Sequence, residues 1–86
     1  MNLESYALRH KAEICDWSET WDKDAAARGW KCFALFTEDN DSEPKMLLIN
    51  APDSESFQVR NFSSGMATGE MLTEKQVKAW IKSQSD

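Results

Sequence analysis

Apolar, aromatic or imidazole side chains recur at Leu3, Ala7, His10, Ile14, Trp17 and Trp21, in steps of four, three, four, three and four, and Ala25 prolongs the series. That spacing puts them on one face of a helix. Asn2 can cap the start, Ala25-Ala26-Ala27 favours helix and Gly29 after Arg28 suits a left-handed stop. The pattern therefore predicts one helix over residues 2–28, bent near Cys15 to Trp17. Asp16 with Glu19 three residues on would instead cap a second helix beginning at Trp17. A single helix of this length measures about 40 Å, against a breadth of about 25 Å for so small a domain. The excess predicts an overhang that seeks a second copy of the chain, as in a homodimer, or a target protein.

The pattern then changes. "WKCFALFT" (Trp30 to Thr37) and "KMLLIN" (Lys45 to Asn50) are rich in β-branched, aromatic and aliphatic residues on both alternating faces, as in the middle of a sheet. Between them "EDNDSEP" carries turn formers and ends in Pro44, which cannot donate to a strand ladder, so a hairpin with a long loop is expected. "FQVRNF" (Phe57 to Phe62) alternates Phe57 and Val59 against Gln58 and Arg60, the pattern of a half-exposed edge strand. "SSGMATGEML" has no period and reads as a loop whose Met66, Met71 and Leu72 cover an open end of the core. In "LTEKQVKAWIKSQ", Thr73 and Gln76 form a T-x-x-Q capping box, and Val77, Trp80 and Ile81 share one face of a last helix.

The expected fold is α+β, with elements in the order α-β-β-β-α. Residues 1–86 form a single domain around a three-stranded, mainly antiparallel sheet, with the N- and C-terminal helices packed on one face. Its 86 residues suffice for one hydrophobic core. The N-terminus lacks a basic segment followed by an apolar stretch, and no apolar run has the roughly 18–20 residues of a membrane span, so a cytoplasmic, membrane-free protein is expected. Cys15 and Cys32 fall where small buried apolar residues belong, without the density of a disulfide framework.

Charge narrows the function classes. The net charge is −5 and the sequence pI about 4.8. The acid excess lies in the front two thirds, while residues 63–86 carry equal numbers of acids and bases. Such a chain lacks the overall positive charge that draws a protein to a phosphate backbone.

Several constellations invite chemistry. "DNDSEPKMLLIN" begins like a calcium loop, with Asp39, Asp41 and Glu43 in the first, third and fifth places. Pro44 stands where the sharp turn needs Gly, however, and Asn50 where the bidentate Glu belongs, so a solvated hairpin tip is expected and no metal site. His10 is the only histidine; a Cys-His nucleophile pair would need Cys32 to reach it from the sheet. Two cysteines and one histidine without a C-x-x-C pair do not make a zinc site. No G-x-G-x-x-G, P-loop or G-x-S-x-G occurs, and neither cofactor nor enzymatic activity is expected.

Two surfaces remain. Trp17 and Trp21, one helical turn apart, form an aromatic patch of the kind enriched at protein interfaces. With the acids Glu38, Asp39, Asp41 and Glu43, they compose the expected contact surface for a basic protein partner. Lys75, Lys78 and Lys82 fall on one side of the last helix and, with Arg60, would be the phosphate-contacting groups of a nucleic-acid-binding module. In element order alone the chain resembles the double-stranded RNA-binding domain, whose second helix meets phosphates at its basic N-terminal end. "GEMLTEK" carries two acids at the corresponding place. The function expected is that of a small acidic, non-enzymatic accessory protein, an inhibitor or regulator acting on a basic partner, with the nucleic-acid module as the other reading.

Overall fold

In the computed structural model, which describes residues 3–39 and 42–85, the stretch expected to be one long helix is four elements. They are α1 (Leu3–Arg9), β1 (Ala12–Asp16), α2 (Ser18–Trp21) and α3 (Lys23–Ala27). Asn2, the expected cap, lies outside the described residues. Lys11 breaks the helix with φ 60, a left-handed conformation that a residue with a Cβ seldom adopts. Beyond it Ala12 and Ile14 are buried while Glu13 is exposed, an alternation of period two, although Ile14 also fits the helical spacing from His10 to Trp17. Ladder bonds and burial against a sheet decide between the two periods. The body measures 37 × 25 × 24 Å. With the helix divided, the overhang that argued for a homodimer does not exist.

The remaining elements are β2 (Lys31–Thr37), β3 (Met46–Asn50), β4 (Ser56–Asn61), β5 (Met71–Thr73) and α4 (Glu74–Ser85). The sheet has five antiparallel strands, not three, in the order β1-β2-β3-β4-β5. The stretch from Phe57, expected at an edge, is the inner strand β4. Its new neighbour comes from the segment read as a loop: Val59 N–H donates to the Glu70 carbonyl (2.8 Å) and Gly69 N–H to the Val59 carbonyl (2.7 Å). Gly69, at φ 94, turns the chain into this strand. Three residues are too few to display a period, so the strand exists through its pairing alone.

Alternation along the strands builds two cores. Under α1 and α4 lie Ile14, Leu35, Met46, Leu48, Val59 and Leu72, closed by Ala7 of α1 and by Val77 and Ile81 of α4. The terminal helices thus share one face, as the sequence implies. The expected capping box starts α4: Gln76 N–H donates to Thr73 Oγ1 (3.2 Å), and Thr73 N–H donates to Gln76 Oε1 (2.8 Å). Phe33 and Phe57 meet edge to face on the same side, ring centroids 6.2 Å apart.

The opposite face carries Cys32, Ala34, Phe36 and Leu47, with Cys15, Ile49, Trp17 and Trp21 packed against them. Here α2 shelters the β1–β2 side, and α3 packs against α2. A polar hook holds them down. Ser18 Oγ donates to Asp16 Oδ1 (2.6 Å) and accepts from the Cys32 N–H (3.0 Å), while Ser18 N–H also donates to Asp16 (2.9 Å). Asp22 caps α3 by accepting from Asp24 and Ala25 N–H, and Gly29, at φ 98, ends it as expected.

Candidate functional site

The second sheet face gathers part of the expected contact surface. Trp17 stands edge-on to Phe36, ring centroids 5.7 Å apart, and Trp21 lies four residues on against the same small core. Both indoles are half-buried. Beside Phe36, a shallow cleft of about 360 Å³ is lined by Glu13, Glu38, Leu8 and Lys11, with Ala12 and Thr37, so two carboxylates face one cation there, and Leu8 is 68% exposed. Strand register explains the grouping: Glu13 pairs with Phe36, so both project from the face that Trp17 covers. Glu38 is therefore brought to Phe36.

Asp39 is engaged within the hairpin. Its carboxylate accepts from Thr37 Oγ1 and from Lys45 Nζ (3.1 Å), which closes the loop between β2 and β3. The Thr37 hydrogen bond first, then Lys45, hold that carboxyl below its usual range. Glu43 is exposed on the loop, and Asp41 lies outside the described residues. Glu13, Phe36 and Leu8 were not singled out from the sequence, because only the β1–β2 register places Glu13 beside Phe36.

At the hairpin end of the sheet a more polar cleft of about 490 Å³ is lined by His10, Lys11, Thr37, Asp39, Lys45 and Gln84, among others. Thr37 and Lys45 both serve Asp39 there, and His10 lies against the Tyr6 ring at 4.5 Å. Cys32 does not reach His10. The histidine precedes the Ala12–Thr37 end of the β1–β2 ladder and Cys32 follows its Asp16–Phe33 end, about 16 Å off at the strand rise. Burial pushes the Cys32 thiol up to about 11, and burial first, then Glu13, raises that of Cys15. Both thiols are free. Among the described residues no group of three His, Cys, Asp or Glu side chains is arranged to hold a metal ion, and no helix is long and apolar enough to cross a membrane.

The four cations of the other reading are divided. Arg60 pairs with Leu47 and so projects from the second face, whereas α4 packs on the first through Val77 and Ile81. Lys78 lies 5.7 Å from the Tyr6 ring centroid and 3.7 Å from Glu74. Lys75 and Lys82 are exposed. The observed element order, with a strand and two short helices inserted before β2 and a fifth strand before α4, is not that of the double-stranded RNA-binding domain. Compared with protein-family models, with curated proteins and with solved structures, the chain matches none.

Proposed function

We propose that the protein is a non-enzymatic accessory protein that binds another protein, with a basic contact region, through the surface formed by Trp17, Trp21, Phe36, Glu13 and Glu38. The observation that carries this reading is the edge-on Trp17–Phe36 pair with two carboxylates beside it on one face. Half-buried aromatic side chains are rigid anchors, and carboxylates around them steer and orient a cationic partner. Covering the partner's basic region would inhibit or regulate whatever that region otherwise binds.

Capture from the native cell extract, with matched variants, tests the reading. Wild type and a Lys75→Glu/Lys82→Glu variant should retain the same protein, while Glu13→Lys/Glu38→Lys and Trp17→Ala should lose it. A partner held equally by all four would defeat the proposal. Duplex RNA or DNA binding at low salt, abolished by the lysine changes and weakening steeply as salt rises, would favour the nucleic-acid module instead.

A further inference from the structure

The two edges of the sheet are treated differently. At β5 the edge is three residues long, and its Thr73 N–H is already taken by Gln76 in the capping box. At β1 the edge is five residues long with no proline. Trp17 N–H donates to the Cys32 carbonyl (2.8 Å) just beyond the Asp16–Phe33 pair. By the alternation of an antiparallel ladder, residues 13, 15 and 17 bond to β2, and the backbone N–H and C=O groups of Ala12, Ile14 and Asp16 point to the open side. Ala12 and Ile14 are each 8% exposed as whole residues, against none for Ala34 and Leu35 of the inner strand β2, so this edge offers little apolar surface.

Clefts adjoin this edge on both faces. On the helix-covered side, Leu3, Glu4, Ile14, Phe33 and Phe57 line a cleft of about 200 Å³. That is below the roughly 300–1,000 Å³ of small-molecule pockets and suits one aliphatic side chain. On the other side the Leu8–Glu13–Phe36–Glu38 cleft supplies two carboxylates against the single cation Lys11. A strand added to β1 would direct alternate side chains into the two clefts. We propose that the basic partner contributes an extended segment of alternating aliphatic and Lys or Arg residues that pairs with β1 as a sixth strand. This rests on the reading of the protein as a binder of a basic protein. A second copy is disfavoured as occupant, since its own edge carries Glu13 and Asp16 and like charges across a strand pair repel.

The probe is a display library of unstructured ten-residue peptides, selected on the intact chain at low salt. Selected sequences should alternate aliphatic and basic residues. Binding should slow hydrogen exchange at the Ile14 and Asp16 amides and should weaken about tenfold or more when two peptide amides facing β1 are N-methylated, with no loss when the amides facing away are methylated. Peptides that lose binding to Glu13→Lys/Glu38→Lys yet ignore N-methylation in either register would overturn strand addition while leaving the contact surface standing. Strand addition would likewise be overturned by failure to select any peptide. The same holds for protection of the Ile14 and Asp16 amides that rises with protein concentration alone, together with a doubled mass, because the occupant is then a second copy.

Discussion

The two faces of the sheet are built from the same five strands and differ in what closes them. Under α1 and α4, Leu35, Met46 and Leu48 have no exposed surface, and the core runs from β1 to β5. Under α2 the buried cluster is confined to Cys32, Ala34, Phe36 and Leu47, and toward β5 the face opens to Gln58, Arg60 and Met71, the last 54% exposed. Full closure by two terminal helices supplies most of the apolar burial. Short helices held by a serine hook leave aromatic rings half in water. The first face holds the larger buried cluster, and the second leaves Trp17 and Trp21 only half-buried.

The largest effect expected is on the first face. Leu48→Ala should lower unfolding stability by about 3–5 kcal/mol in urea titration, because a fully enclosed leucine leaves a cavity. Trp17→Ala should cost clearly less, about 1–2 kcal/mol, since its site is already half solvated. Equal costs would erase the distinction between the faces. Next comes Ser18→Ala, at about 1–3 kcal/mol, which strands the buried Cys32 N–H. Hydrogen exchange should quicken in α2 and α3 and stay unchanged in α4. Thr73→Ala, at about 1 kcal/mol, should do the reverse and loosen α4 alone.

The smallest effect concerns pH. Ser18, through its hydroxyl and then its N–H, lowers the Asp16 carboxyl below the usual value of about 3.8. A carboxyl depressed on folding stabilises above its unfolded pKa, and that contribution is lost as pH falls through the folded pKa. Asp16→Asn should therefore flatten the decline of the urea midpoint below about pH 4 while leaving the decline due to other carboxylates. An unchanged profile would show that the hook does not depend on charge.

Much of the fold is legible in the chain where local signals are unambiguous. The capping box at Thr73 and Gln76, the stop at Gly29 and the two apolar strands around "EDNDSEP" all depend on neighbours within a few residues, and each stands as read. Residues 12–16 were not legible as a strand, because Ile14 fits the helical spacing from His10 to Trp17 as well as a two-residue alternation with Ala12. The five-stranded sheet follows from that ambiguity and from the brevity of Met71–Thr73. Of the expected contact residues, Trp17 and Trp21 pack on the cluster that holds Phe36, Glu38 lines the cleft beside Phe36, and Asp39 is engaged with Thr37 and Lys45. Glu13 and Phe36 could not be joined before β1 was known to pair with β2.

What the sequence alone determined is therefore local: capped helix ends, turns, apolar strands, an acid excess and the absence of nucleotide-binding or hydrolase motifs. Pairing decided the rest. Whether Ala12–Asp16 is helix or strand, which edge of the sheet stays open and which carboxylates stand beside Phe36 depend on hydrogen bonds and burial between residues far apart in the chain. No short window of sequence carries that energy.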